Sequence, residues 1–250
     1  MSTSDSDPAK EPNKVLFEDF NLEIEPGTSN AIVGESGFGK TTLFNLLQRI
    51  YDPVEGSVTI DDQDVSDLKF ESFRKHIAVI PQNGALFNDS ILFNLQYGNS
   101  DATLEEIQEV AKKCKIHDKI IQMEQGYQTQ VGDLGGMISG GERQRLLIAR
   151  ALLKKDAHIF LFDEATSSLD SETERNLTGE LDELLKGKTV IYCAHRLSSI
   201  QQVDKIHVLK EGEVREEGTH KELLERGQIY KEMWDNYMKK DTANTEPAHL

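Results

Sequence analysis

One segment of the sequence has the residue types and spacing of a phosphate-binding loop, GESGFGKT at residues 34–41. It matches the pattern G-x-x-x-x-G-K-[ST] at every fixed position, after an apolar run and before a helical pattern. Backbone N–H groups of such a loop surround phosphate oxygens, Lys40 reaches the outer phosphates, and the Thr41 hydroxyl ligates Mg²⁺. A plain glycine turn is the weaker alternative, because it does not require this context. The predicted nucleotide-binding residues of this segment are Gly34, Glu35, Ser36, Gly37, Phe38, Gly39, Lys40, Thr41 and Thr42.

A pair of carboxylates follows a second apolar run, HIFLFDE, which ends in Asp163 and Glu164. We expect Asp163 to hold the water shell of Mg²⁺ and Glu164 to polarise an attacking water. Alone, the pair would indicate only a helix N-terminus, where acidic residues are favoured. The phosphate-binding loop upstream makes the catalytic interpretation the stronger one.

A second glycine-containing helix start lies at residues 138–150, ISGGERQRLLIAR. Ser139 and Glu142 have the S-x-x-E spacing of a capping box, so a well-capped helix is the simplest explanation. Gly140 and Gly141 are poor helix formers in a first turn, and a cap does not require them. They are useful if an anion must approach the backbone N–H groups closely. The segment therefore predicts a second phosphate site.

The elements that must position these residues are four apolar runs, NAIVG, HIAVIPQ, HIFLFDE and TVIYCAHR. They do not alternate in polarity, which is typical of parallel strands that helices cover on both faces. Ligands of such sheets bind at the carboxyl ends of the strands. Gln82 and His195, which alone would indicate only a strand-end residue and a half-buried histidine, become site candidates through this shared position.

The remaining patterns complete the predicted fold class. This is an α/β P-loop NTPase core with a mostly parallel sheet, an antiparallel β edge and a helical insertion at about 84–138. We expect a half-buried antiparallel strand in VLFEDFNLEIEPG, hairpins in GSVTIDDQDV and KIHVLKEGEVREEG, and helices in EEIQEVAKKCKIHDKII and ETERNLTGELDELLKG. Residues 15–238 are predicted to form one domain between flexible tails at 1–14 and 239–250.

Composition limits the function classes. The 250 residues carry a formal net charge of −16, which repels phosphate backbones and argues against nucleic acid as the main partner. No apolar run reaches the 18 residues of a membrane span, and no apolar segment near residue 1 suggests a signal peptide. Cys114 and Cys193 lack metal-type spacing, so a reduced compartment is expected.

The order of the motifs resembles that of ABC-type ATPase cassettes over roughly residues 15–238. These are GESGFGKT, PQ at Gln82, ISGGERQR, HIFLFDE, SSLD ending at Asp170, and AHR at His195. The resemblance implies ATP and Mg²⁺, with Thr41 and Gln82 as metal ligands and Asp163 holding a metal-bound water. It also implies that Lys40 and Gln82 take part in catalysis, that Glu164 is the general base, and that His195 contacts the γ-phosphate. In this family Ser139, Gly140, Gly141 and Glu142 would act at the nucleotide of a second cassette in a head-to-tail homodimer. Asp170 is also assigned to this composite nucleotide site, where it lines the seam of the dimer.

Further segments resemble exporters, namely TQVGDLGG, VLKEGEVREEGTHKELL and YKEMW. LFNDSILFNLQYGN and IHDKI are most similar to mitochondrial half-transporters of the iron–sulphur export and heavy-metal-tolerance type. This resemblance implies a transmembrane domain outside this chain, docked at residues 84–98, where an ordinary apolar turn is the alternative. It implies a transporter of the mitochondrial inner membrane with the cassette facing the matrix, this chain alone being soluble. The rival interpretations are a soluble ABC ATPase not linked to transport and a non-catalytic subunit.

The sequence departs from the family pattern at a few positions. Ile138 replaces the usual leucine, Asp62 a hairpin glycine, and Asn83 an aspartate, and none of these removes a catalytic group. The family also has an aromatic residue that stacks on adenine before the first strand, but no aromatic residue precedes Phe17. We expect the chain to begin after that residue and to bind ATP weakly.

Overall fold

A computed structural model describes residues 15–35, 37–163, 181, 183–194 and 196–245. Its main feature is a six-stranded sheet of order β4-β5-β6-β1-β7-β8, in which β8 alone runs antiparallel to its neighbour. Strands β2 and β3 form a separate antiparallel pair. The strands are β1 Ser29–Val33, β2 Thr59–Ile60, β3 Gln63–Asp64, β4 Ile77–Ile80, β5 Ile159–Asp163, β6 Thr189–Cys193, β7 Lys205–Lys210 and β8 Glu213–Gly218.

Helices cover both faces of this sheet. Ile32, Leu161 and Ile191 point to one face, where they pack with Leu43 and Phe44 of the first helix. Alternate residues of the same strands point to the other face and pack against the helices that follow β8 and the helix that precedes β5. The doubly wound core predicted from unbroken apolar runs is therefore confirmed. The helices are α1 Lys40–Leu47, α2 Phe70–Lys75, α3 Ile91–Gln96, α4 Leu104–Lys113, α5 His117–Gln122, α6 Gly140–Leu152, α7 His220–Arg226 and α8 Ile229–Thr245.

Both predicted hairpins are present, and each turns through residues with positive φ. Asp61 and Asp62 connect β2 to β3 with φ of 48° and 63°, and Glu211 and Gly212 connect β7 to β8 with φ of 54° and 79°. Consecutive left-handed residues give the turn a twist that matches the strands. Aspartate and glycine tolerate this conformation best, which makes the turns readable from the sequence.

The predicted helical insertion lies between β4 and β5 and contains α3, α4 and α5 around a buried apolar cluster. The segment EEIQEVAKKCKIHDKII, expected as one helical pattern, is divided into α4 and α5. The chain turns at Lys115, whose φ is 53°. Buried Ile107 and Ile120 therefore reach the same core from two helices.

Three other predictions need correction or lie outside the described residues. The segment at residues 15–28 is half-buried at alternate residues over 20–25, but it pairs with no strand in the described part of the chain. Helix α8 continues to Thr245, into the predicted tail, because no glycine or proline interrupts the chain before Pro247. The tail at 1–14 and most of ETERNLTGELDELLKG are outside the described ranges. Among the described helices, none is long and apolar enough to cross a bilayer.

Candidate active site

The phosphate-binding loop joins β1 to α1. Helix α1 begins after Gly39, which has φ of 91° and offers no side chain that could cap the helix. The first backbone N–H groups of a helix have no partner within the helix. Together with the positive end of the helix dipole, they can hold an anion at this point.

Two glycines of the loop are required by close packing. A Cβ on Gly34 would lie 2.5 Å from the carbonyl oxygen of Leu209 on β7. A Cβ on Gly39 would lie 2.5 Å from the ring of Phe17. Both distances are shorter than real contacts, so β7 and Phe17 pack directly against the loop and require glycine at these two positions. The sequence analysis did not predict that Phe17 packs against this loop.

Lys40 is bent back over the loop. Its side chain is 5% exposed, and Nζ donates to the carbonyl oxygens of Gly34 at 2.6 Å and Glu35 at 3.1 Å. A buried ammonium needs acceptors around it, and phosphate oxygens are stronger acceptors than neutral carbonyls. The loop thus fits a phosphate group whose oxygens meet the α1 N–H groups and Lys40.

The ends of neighbouring strands bring further polar residues to this loop. Gln82 follows β4 by two residues, and Asp163 is the last residue of β5. Asp163 is in register with Cys193 of β6, which is in register with Ile32 of β1. With strands spaced by about 4.8 Å, Asp163 lies about 10 Å from the strand that carries the loop. The strand order therefore places Asp163 and the end of β4 at the same end of the sheet as the loop, and the joint site of these side chains stays a prediction.

Oxygen ligands of the kind that Mg²⁺ accepts are present at that edge. Such oxygens belong to the hydroxyl of Thr41 in α1, the amide of Gln82 in the segment after β4 and the carboxylate of Asp163 at the end of β5. A set with one carboxylate suits a magnesium ion that also binds phosphate and water. Ser36, Glu164, Asp170 and His195 lie outside the described residues, so their predicted roles remain predictions.

The second glycine segment forms the N-terminus of α6 as a complete capping box. Ser139 Oγ accepts from the Glu142 N–H at 3.3 Å, and the Glu142 carboxylate accepts from the Ser139 N–H at 2.9 Å. Burial raises the pKa of Glu142. The hydrogen bonds from Ser139 and the nearby cations Lys119 and Arg145 lower it by more, so the pKa of Glu142 lies below its usual value. The carboxylate is therefore ionised when the cap forms.

Among the described helices, two others carry the same capping box and allow an internal comparison. Thr103 and Glu106 cap α4, and Thr219 and Glu222 cap α7, with nearly the same distances. The two positions between cap and glutamate are Leu and Glu in α4 and His and Lys in α7, but Gly and Gly in α6. Neither of the other boxes contains glycine at these positions, so the cap alone does not account for the two glycines of α6.

Comparisons with known proteins agree with this geometry. The sequence model of the ABC transporter family matches residues 17–167. The mitochondrial iron–sulfur clusters transporter ATM1 of Chaetomium globosum is 48% identical over 89% of this chain and 37% of its own length. The heavy metal tolerance protein of Schizosaccharomyces pombe is 47% identical over 95% of this chain and 29% of its own length. The chain thus spans about a third of these relatives.

A solved structure gives the same result in three dimensions. A bacterial Atm1-family ABC exporter with ATP bound superimposes with a TM-score of 0.85 and 42% identity, over 88% of this chain and 39% of that one. The family model, the fold and the phosphate-binding loop at the sheet edge all agree. The chain therefore belongs to the ABC transporter family, and it forms the ATPase domain of that family.

Proposed function

We propose that this domain binds ATP with Mg²⁺, hydrolyses it in a head-to-tail dimer, and so powers an exporter of the Atm1 type. The observation that carries the proposal is the buried Lys40 beneath an uncapped helix start, at the sheet edge that also holds Gln82 and Asp163. A phosphate group satisfies Lys40, the helix N–H groups and the metal ligands at the same time.

The hydrolytic step follows from the order of groups at this edge. Thr41 and Gln82 would hold the Mg²⁺ directly and Asp163 would hold its water; the ion neutralises charge on the phosphates when bound. Glu164 accepts a proton from water while the water oxygen bonds to the γ-phosphorus and the bond from phosphorus to the β-phosphate oxygen breaks. His195 donates a hydrogen bond to the γ-phosphate. ADP leaves with Lys40 balancing its charge.

The second phosphate site supports the dimer. Ser139, Gly140, Gly141 and Glu142 start α6, and a glycine-lined helix start can approach an anion closely. We assign it to the nucleotide held by a second copy of this chain, and Asp170 to the seam between the two copies. The net charge of −16 disfavours association of two identical chains, so nucleotide bound between them must supply the stabilising contacts.

An exposed aromatic cluster supports docking of the transmembrane domain. Phe87, Phe93 and Tyr97, here called the aromatic surface, are 41%, 45% and 65% exposed. Their rings contact each other: the centroid of the Phe87 ring lies 4.5 Å from that of Tyr97 and 5.9 Å from that of Phe93. A cavity of about 470 Å³ adjoins them, lined by residues 85–88 and 133–134, including the exposed Leu134. Clustered exposed aromatics of this kind mark an interface.

The similarity to exporters and this surface together favour transport over a soluble ATPase. Relatives named for mitochondrial iron–sulfur cluster transport and for heavy metal tolerance cover nearly the whole chain. We therefore assign the full protein to the mitochondrial inner membrane, with this domain on the matrix side. Its cargo would belong to the chemistry of metal or cluster export.

The proposal is tested with Glu164→Gln. General bases contribute about 10²–10⁴ in rate, so this variant should lose turnover by that factor and keep ATP binding. In light scattering it should change from monomer to dimer when Mg-ATP is added. Turnover equal to that of the unchanged chain would exclude Glu164 as the base, and a dimer of the same size with and without nucleotide would exclude the nucleotide-bridged arrangement.

A further inference from the structure

Arg150, in the last turn of α6, is bound to the segment that carries the aromatic surface. Its Nε donates to the Asn94 carbonyl oxygen at 2.9 Å, and Nη2 donates to Asn94 Oδ1 at 2.5 Å. The same guanidinium lies 5.3 Å from the centroid of the Phe87 ring and 5.8 Å from that of Tyr97. One side chain of α6 therefore contacts both the backbone and the rings of this surface.

Asn94 connects Arg150 to other residues of the segment through hydrogen bonds. It is fully buried, and its Oδ1 also accepts from the Phe87 N–H at 2.8 Å. Its Nδ2 donates to the carbonyl oxygens of Phe87 at 3.0 Å and Ser90 at 2.9 Å. All hydrogen-bonding groups of the amide are used. A displacement of Arg150 must therefore move Asn94, and Asn94 must move Phe87.

The segment also rests on α6 at both of its ends. A Cβ on Gly98 would lie 2.0 Å from the backbone carbonyl oxygen of Arg150, so the two backbones touch. A Cβ on Gly84 would lie 2.5 Å from the Leu147 side chain. Packed interiors transmit displacements because they contain little free space. The aromatic surface is thus attached to α6 at three points.

Helix α6 begins at Ser139, the start of the second phosphate site. Eleven residues at 1.5 Å each place Arg150 about 16 Å along the axis from that site. We propose that Arg150 is a positioning residue that makes the aromatic surface move with α6, so that the partner's nucleotide at Ser139 changes the state of the surface. This inference rests on the proposed function, since it needs both the dimer and the docking role.

The experiment uses the Glu164→Gln chain and follows hydrogen exchange of residues 84–98 with and without Mg-ATP. We expect Mg-ATP to slow exchange in this parent. Hydrogen bonds to a charged group stabilise by about 1.5–3 kcal/mol, so Arg150→Met should speed exchange of the Phe87 amide about 10- to 100-fold. The decisive result is that this variant loses the response to Mg-ATP and still dimerises.

The controls separate this role from simple structural support. Lys155→Met removes one cation just beyond α6, in an exposed pair with Glu106, and should keep the response. If Arg150→Met speeds exchange but Mg-ATP slows it by the same factor as in the parent, Arg150 is only a structural contact and the inference is wrong. If Arg150→Met does not fold, Arg150→Lys, which keeps the charge without the two-pronged geometry, must show the reduced response instead. A parent that does not dimerise with Mg-ATP would refute the proposed function, whereas a dimer without a response at residues 84–98 would refute this inference alone.

Discussion

Replacing Ser139 with alanine separates capping from nucleotide contact, because the chain contains a matched cap at Thr103. The backbone angles are nearly the same, with φ −65° and ψ 158° for Ser139 and φ −69° and ψ 161° for Thr103. Both residues form complete capping boxes. Loss of such a cap costs about 1 kcal/mol, within a range of about 0.5–2 kcal/mol. We therefore expect Ser139→Ala and Thr103→Ala to destabilise the fold by similar amounts in urea unfolding.

Their effects on activity should differ. The Leu-Glu pair after Thr103 leaves no open glycine backbone, while Gly140 and Gly141 follow Ser139. Ser139→Ala should weaken Mg-ATP-driven dimerisation and turnover by about tenfold or more, since one hydrogen bond to a charged phosphate contributes about 1.5–3 kcal/mol. Thr103→Ala should leave both unchanged. Turnover is measured by steady-state ATPase assays in the chain that retains Glu164. Dimerisation is measured by light scattering in the Glu164→Gln background.

Two outcomes would refute this reasoning. If Ser139→Ala dimerises and turns over like Thr103→Ala, then the α6 start is only a cap and the second phosphate site does not exist. If Thr103→Ala loses as much activity as Ser139→Ala, then activity follows global stability, and the loss at Ser139 carries no information on nucleotide contact. The equal loss of stability expected in both variants is what makes the comparison interpretable.

Three further predictions follow from the described contacts. Lys40→Met should weaken ATP binding about 10- to 100-fold in calorimetric titration, because it removes the charged donor beneath the loop; unchanged affinity would contradict the assigned phosphate grip. Gly98→Ala should destabilise the fold by about 1–3 kcal/mol in urea, since its Cβ would enter the space of the Arg150 carbonyl; a neutral effect would show that α3 and α6 are not in close contact. The Thr103 N–H and Lys155 hold the pKa of Glu106 below its ordinary value of 4.5. The ionised carboxylate therefore stabilises the fold above about pH 4.5, and this stabilisation is lost as pH falls through the lower pKa of the folded state. Glu106→Gln should reduce the dependence of the unfolding free energy on acid pH, and an unchanged dependence would contradict the hydrogen bonds of Glu106 to Thr103 and Lys155.

Much of the fold was predictable because its signals are local. The strands β1, β4, β5 and β6 are unbroken apolar runs, and such runs depend only on burial of both sheet faces. Capping boxes and hairpin turns involve residues two to four positions apart, so spacing alone identifies them. The break at Lys115 was missed because apolar periodicity does not show where a helix must bend to fill a core.

The candidate site was predictable in part for the same reason. The loop at residues 34–41 is contiguous, and its chemistry follows from its residue types in sequence order. Its relation to Gln82 and Asp163 required the strand order, which places β4, β5, β6 and β1 side by side. That order is a property of the sheet, because several topologies are compatible with the same set of strands.

By itself, the sequence determined the phosphate-binding loop, the paired carboxylates, the second glycine helix start and the α/β class, since each depends on neighbours along the chain. Tertiary structure alone decided the contacts between distant residues, such as the Phe17 ring against Gly39 and Arg150 against Asn94. It also decided that residues 15–28 are only half-buried and join neither described sheet. The physical reason is that a pattern of polarity states which side chains leave water, whereas the fold determines which of them meet.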